Sequence, residues 1–434
     1  MSMIFQRFFL TASLYLFFIF VLQAQSPRKI LKEADAHFKY KDYHNAVPLY
    51  QEVLRLRPDH PKRLQLLYRL GYSHLYAAHK NEALAPLLEV YTTAPAFSKD
   101  LLYLLAQAYH YDNQFDSALV FYQKALATLP KQSKQIQKKM QECQFGKDYL
   151  AKPVPARIQN MGSVINSPFP DYVPLISADE SVLIFTSRRK GTNGGQKDPQ
   201  DGLFFEDIYM SLREEGVWTA PSPLPKPINS PSHDACIALS PDGQQLFVYK
   251  PGKAGMGDIY VSQRKENNTW TEPLSLGDRI NTKHREPSAS ISADGQTLYF
   301  SSDRPGGLGG LDIYKSQRLA DGTWGAPENL GPSINTEYDE DSPFVQGMQR
   351  LYFSSQGHSS MGGFDIFVSE ADAQGQWTAP RNLGYPINTT DDDIYWVVSA
   401  DGRRGYYASS KKGGFGEKDI YVIQILDNLK EGTE

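Results

Sequence analysis

Apolar and polar positions obey two different rules along this chain, and the change falls near residue 150. Over residues 27–150 apolar side chains recur every third or fourth position in paired stretches, which predicts amphipathic helices. Beyond residue 155 they form short alternating or wholly apolar runs bounded by Gly, Pro, Asn and Asp, which predicts strands. The fold class expected is therefore α plus all-β in separate domains, helices first.

The β part is a repeat. Its clearest copy, residues 279–327, reads Ile280-Asn281, an acid at Glu286, Ser292-Ala293-Asp294-Gly295, Leu298-Tyr299-Phe300-Ser301-Ser302, glycines within 306–310, Asp312-Ile313-Tyr314, then Trp324 and Pro327. The Asp-Gly pair predicts a tight hairpin turn with positive φ at both central residues. Each copy thus predicts four short strands. The Asp-Ile-Tyr/Phe element returns at Asp207, Asp258, Asp312, Asp365 and Asp419, in steps of 51 to 54 residues, and the tryptophan at Trp218, Trp270, Trp324 and Trp377. Four strands at such a period mark a propeller blade, so five copies predict a five-bladed β-propeller. The last copy lacks its Trp-Pro strand, while Asn160-Met161-Gly162-Ser163-Val164-Ile165-Asn166 precedes the first copy and matches Asn382-Leu383-Gly384-Tyr385-Pro386-Ile387-Asn388. A strand near residues 157–161 is expected to complete the fifth blade and close the ring, leaving no open edge.

In the helical part three copies align on Ala46, Ala83 and Ala118, each followed by Tyr50, Leu87 or Tyr122 and then by Pro58, Pro95 or Pro130. Small residues where helices cross, and a proline past the second helix of each pair, resemble the tetratricopeptide repeat. Ala34, Leu70-Gly71 and Leu105-Ala106 fill its other small positions, and Ile30 and Leu67 replace its early aromatic. Residues 131–148, rich in Lys and Gln, fit a polar capping helix. The blade motif resembles the WD-like repeat of TolB-type propellers. Leader, helical array and propeller in this order are similar to the N-terminal half of periplasmic, outer-membrane-associated Bacteroidetes proteins linked to gliding and type IX secretion. Those relatives often continue into an OmpA-like peptidoglycan-binding domain; such a domain is not expected here, nor is direct anchoring to the cell wall.

Arg7 ahead of an apolar run at residues 8–22 and Gln23-Ala24-Gln25 reads as an export signal cleaved after Ala24. The run falls short of the ~20 residues of a membrane span, a retained anchor being the alternative. No cysteine stands at the cleavage site, so no lipid anchor is expected. The expected organisation is a signal peptide at 1–24, three tetratricopeptide repeats with a cap at 25–150, a linker at 151–155, the propeller at 156–426 and a polar tail at 427–434. After cleavage no transmembrane span remains, and the protein belongs in the periplasm or at the outer-membrane periphery. The net charge of -4 conceals a split: residues 25–152 carry 19 Lys+Arg against 12 Asp+Glu, and residues 153–434 carry 25 against 37. With the larger part acidic, nucleic acid is not an expected partner. Cys143 and Cys236 are read as separate thiols rather than a bridge.

Chemistry-bearing patterns are few. Gly357-His358-Ser359-Ser360-Met361 begins like a nucleophile elbow but ends in Met and sits in a loop between strands. No histidine spacing suggests a metal site, and the glycine cluster precedes no helix that could cradle phosphate. The chain is accordingly expected to be no enzyme and to hold no cofactor or metal. The aspartates Asp207, Asp258, Asp312, Asp365 and Asp419 are expected to be structural, accepting backbone N–H groups of the glycine-rich loops. Each repeated Asn is followed by an acid, giving Asp171, Asp234, Glu286, Glu340 and Asp393. These are expected to ring one mouth of the central channel, either satisfied by backbone and neighbouring blades or relieved by a cation or a partner's basic group. The tetratricopeptide resemblance implies a concave wall of Phe38, Tyr68, Tyr72, Tyr76, Tyr103, His110 and Tyr111, suited to protein contacts. The function expected is a non-catalytic protein-binding scaffold of the cell envelope, the alternative being an exported glycan- or ligand-binding propeller with a helical docking arm.

Overall fold

The structure, a computed structural model, describes residues 26–77, 79–199, 201–251, 257–347 and 349–425. The expected export signal, the start at Gln25 and the polar tail lie outside the described residues. Seven α-helices come first among these: α1 Pro27–Lys39, α2 Tyr43–Leu56, α3 Arg63–Leu75, α4 Leu84–Thr93, α5 Leu101–Tyr111, α6 Phe115–Thr128 and α7 Ser133–Ala151. Strands follow from Ala156 to Ile425. The chain divides into two compact units, the first closing at Tyr109 and the second running from His110, except that Gln200–Gly202 count with the first. By compactness α6 and α7 therefore go with the strands, although the switch in patterning falls at residues 151–155.

In the first unit the helical spacing becomes a core. Ile30, Ala34, Ala46, Leu49, Tyr50, Val53, Leu66 and Leu70 pack together across α1, α2 and α3. The small positions allow close crossing: a Cβ on Gly71 of α3 would lie 2.5 Å from Cγ of Leu87 on α4. Asp35 joins three helices, accepting from the Tyr50 hydroxyl at 2.9 Å and from Arg69 at 2.5 Å.

The second unit holds five four-stranded antiparallel sheets, with one extra short strand in the first. These are the blades expected from the repeat. Their inner strands are Asp171–Ile176, Ala235–Leu239, Ala289–Ile291, Glu340–Gln346 and Asp393–Val398. The outer strand of the fifth blade is Ala156–Asn160, paired with Asp419–Ile425 so that Ala156 faces Ile425 and Asn160 faces Tyr421. The ring is closed as the repeat predicts. The repeated asparagines are two-point clamps on the preceding blade. Each of Asn166, Asn229, Asn281, Asn335 and Asn388 accepts the N–H of Ile420, Ile208, Ile259, Ile313 or Ile366 at 2.7 to 2.9 Å and donates to the same residue's carbonyl at 2.8 to 3.0 Å.

The expected two-residue turn is not what forms. Between Ile291 and Thr297 lies a longer loop in which Gly295 has φ 69° and Asp294 has no positive φ. The Asp294 carboxylate accepts from the Ser292 hydroxyl at 2.5 Å and the Gln296 N–H at 3.0 Å, and Ser292 N–H pairs with the Thr297 carbonyl at 2.8 Å. That side-chain cap closes the hairpin without a left-handed aspartate.

Helix α7 is fastened to the fourth blade. Lys138 Nζ donates to Ser360 Oγ at 3.0 Å, the Tyr149 hydroxyl donates to the Ser359 carbonyl at 3.1 Å, and Lys134 pairs with Glu337. The loop that begins like a nucleophile elbow is thus a docking seat, with Ser360 fully buried. Cys143 and Cys236 are both free and buried.

Candidate functional site

The strand-opening acids do not face the channel. All five are fully buried, and none lines the central cavity. Each turns back into its blade to accept the backbone N–H and hydroxyl of the Ser or Thr after the repeated Asn. Asp171 holds Ser167 at 2.6 and 2.8 Å, and Glu340 holds Thr336 at 2.6 and 2.7 Å. A basic residue at or just past the end of the second strand meets the acid: Arg189 on Asp171 at 2.6 Å, Lys250 on Asp234 at 2.5 Å, Arg304 on Glu286 at 3.2 Å and Lys411 on Asp393 at 3.3 Å. The acidic ring around the channel is therefore corrected to acid–base clamps inside the blades. The reason is local capping, since each carboxylate is drawn back to the N–H and hydroxyl of the Ser or Thr four residues before it.

The fourth blade departs from this pattern. His358 stands where the others have Arg or Lys, donating to the Ile334 carbonyl at 2.8 Å as Arg304 does to Ile280 at 2.7 Å. Its ring packs on Phe353 and Phe367, as the Arg304 guanidinium lies over Phe300 and Tyr314. Burial pushes the Glu340 carboxyl up to about 7, against its hydrogen bonds from Ser355 and Thr336. Burial also raises Asp171 and Asp393, against Arg189 and Lys411.

The recurring aspartates bind the glycine-rich loops. Asp312 accepts the N–H groups of Leu308 and Gly309, Asp365 that of Met361, Asp419 those of Phe415 and Gly416, and Asp207 that of Asn193. Asp258 stands beside residues outside the description; burial, then the Glu286 charge, raises its pKa. A Cβ on Gly309 would come within 2.3 Å of the Tyr338 carbonyl, so the loop presses on the next blade through glycine.

The channel itself is a cavity of about 410 Å³ lined by the inner strands of all five blades. Its wall is shaped by irregular strands. Register shifts interrupt four inner strands, and Val173, Ser342 and Tyr395 take φ of 52°, 54° and 63° there. A β-branched valine in that region is strained, and bulges of this kind re-aim side chains. Tyr172 and Tyr395 stack at 5.9 Å between ring centres, with Tyr249 also in the wall.

Glu206 stands at this mouth, at the end of the first blade's long loop. The Tyr172 hydroxyl donates to one of its oxygens, and His233 Nδ1 lies 2.8 Å from the other. His233 Nε2 in turn lies 3.2 Å from Asp198. Burial opposes the charge on Glu206, but the hydrogen bonds from His233 and Tyr172, with the positive His233 and Arg188, hold its carboxyl below the usual range. The hydrogen bond to Glu206 raises the pKa of His233. Reading the sequence missed Glu206 because it ends an insertion outside the repeated positions, and missed His233 because it stands at a variable position between the repeated Asn229 and Asp234. The signal available was the loop's length in one blade alone.

The implied concave wall divides. Phe38, Tyr68, Tyr72 and Tyr76 form one ring cluster with Tyr43 and Phe97 in the first unit: Tyr72 and Tyr76 stack at 4.7 Å, and Tyr68 lies 5.4 Å from Phe97. Tyr76 and Phe97 are 49% and 37% exposed. Tyr103 and His110 are instead buried and present no binding face. His110 Nε2 donates to the Met361 carbonyl at 2.9 Å in the second unit, and burial lowers its pKa to about 4. Tyr111 is half-buried, its carbonyl accepting from Thr390 at 3.4 Å. Among the described residues no group of His, Cys, Asp and Glu is arranged to hold a metal, and no helix is long and apolar enough to cross a membrane.

No family model matches this chain, and no curated protein matches it. Solved structures similar to it include TolB from Acinetobacter baumannii, 14% identical over 67% of this chain and 70% of that one, TM-score 0.38. Another is an α-L-arabinofuranosidase from Lactobacillus brevis, 16% identical over 60% and 92%, TM-score 0.38. A third is an N-acetylgalactosamine deacetylase from F. plautii, 12% identical over 61% and 93%, TM-score 0.39. The expectation that this chain is no enzyme is corrected accordingly. Proteins with catalytic names stand beside TolB among its likenesses, so the fold gives no ground for excluding catalysis.

Proposed function

We infer that this protein is exported to the cell envelope and binds a protein partner there through its N-terminal helices, which we assign to the tetratricopeptide class. One observation carries the reading: the connected rings of Phe38, Tyr43, Tyr68, Tyr72, Tyr76 and Phe97, half-buried at the base and open at Tyr76 and Phe97. Tyrosines whose rings brace one another lose little freedom on binding and offer both apolar area and a hydroxyl, which suits a protein interface. The Arg7 leader and apolar run at residues 8–22 support export, with the mature chain starting at Gln25.

The test is cross-linking of the full chain in its native envelope, with the recovered partner identified by mass. Alanine at Tyr68, Tyr72 and Tyr76 together is expected to abolish recovery, since aromatic anchors are each worth about 2 kcal/mol. A control substitution at the exposed Val217 of the second unit should leave recovery intact. Recovery unchanged by the triple variant, with helix content preserved, would refute the assignment.

A further inference from the structure

The channel wall has an unusual charge balance. Among the described residues lining the cavity, Glu206 is the one charged side chain; Lys, Arg and His are absent from the wall. The groups that neutralise Glu206, His233 and Arg188, do not line the cavity, and neither does Asp198. Arg188 is turned aside, its Nε donating to the Phe204 carbonyl at 2.7 Å. Toward the cavity the site thus presents a carboxylate and three tyrosines, Tyr172, Tyr249 and Tyr395. The stacked Tyr172 and Tyr395 come from the first and fifth blades, and Tyr249 from the second. Below this mouth the wall turns apolar, with Ile237, Ile291, Val345 and Val398 each only 4% to 7% exposed.

We propose that the mouth of the propeller channel binds a small organic cation, an ammonium group on an apolar body. The ammonium sits against Glu206 and the faces of Tyr172, Tyr249 and Tyr395; the body fills the shaft. The chemistry selects this class over its rivals. An anion would meet a carboxylate and electron-rich rings with no basic side chain in the wall to receive it. A neutral apolar molecule would gain the shaft but leave the mouth unused. A cation gains the carboxylate and the ring faces together, and rings attract ammonium groups most where water is excluded. The cavity volume suits a molecule of this size.

The test uses three probes of one skeleton on the full mature chain, followed by calorimetry at pH 7.5: 2-phenylethylammonium, 2-phenylethanol and phenylacetate. The ammonium should bind at least about tenfold more tightly than the alcohol, and phenylacetate should not bind measurably. Glu206→Gln should remove that preference for the cation while leaving the alcohol's weak binding unchanged. Because Glu206 also holds His233, Tyr395→Leu serves as a second variant that leaves the carboxylate in place. It should weaken the ammonium by about fivefold or more. Equal binding of alcohol and ammonium, tighter phenylacetate, or no ammonium binding at 10-fold above the ordinary millimolar range (about 10 mM) would each overturn the proposal. An undiminished preference for the cation in either folded variant would overturn it as well.

Discussion

Five fully buried carboxylates and one partly exposed carboxylate, Glu206, stand in the propeller, and they differ in what lies opposite them. The strand-opening acids spend every contact inside the chain, on a Ser or Thr cap and, in four blades, on an Arg or Lys. Glu206 is held by His233 behind it and by Tyr172 in the wall, and it still edges a cavity. The difference teaches that burial of an acid does not mark a site; a carboxylate that lines open space does. Glu340 sharpens the point, since its blade supplies His358 instead of a stronger base, and burial then raises its pKa to about 7.

The comparison can be broken most severely at Asp234. Asp234→Asn keeps the shape and strips Lys250 of its counter-charge in a buried place, so unfolding in denaturant should show a loss of about 3 kcal/mol. Glu340→Gln should do the opposite. A carboxyl raised in the folded state binds protons that the unfolded chain does not, so its stability contribution is full below about 4.5 and falls away as pH rises through about 7. Melting curves across pH 4 to 8 should therefore coincide near pH 4 for wild type and Glu340→Gln. At pH 8 the variant should be the more stable, by up to about 3 kcal/mol. His358→Arg supplies the cation that the other blades have. It should flatten the same pH dependence and add about 1 kcal/mol at pH 8. The smallest effect belongs to the turn cap: Asp294→Ala loses two hydrogen bonds at an exposed loop and should cost about 1 kcal/mol or less.

Much of the fold was legible because it repeats. Five copies of Asp-Ile-Tyr/Phe fixed the blade count, and the misplaced Asn160–Asn166 motif located the closing strand, since an unpaired edge has to be covered. The turn was misread because an Asp-Gly pair also fits a longer loop when the aspartate caps a serine, as Asp294 does with Ser292. The acids were seen and their partners were not. Lys250 lies inside its strand, while His358 comes after Gln356 and Gly357 beyond its own, so the bases fall out of register when the motif is aligned. Glu206 ends a loop with no counterpart in other blades, and His233 fills a position before the repeated acid that is occupied by Pro170, Arg285, Asp339 or Asp392 elsewhere, so repetition says nothing of either. In the helices, the tetratricopeptide resemblance implied one wall for Tyr72 and His110; it could not show that His110 would be taken by the Met361 carbonyl.

The most direct measurement is a pH titration of the glutamate side-chain carboxyls by nuclear magnetic resonance, with Glu340→Gln and Glu206→Gln used to assign the two signals. The account predicts that they move apart, Glu340 titrating near 7 and Glu206 below the ordinary carboxylate range. If both titrate together, or Glu206 is the one raised, then burial alone sets these carboxyls and the distinction between clamp and site is wrong.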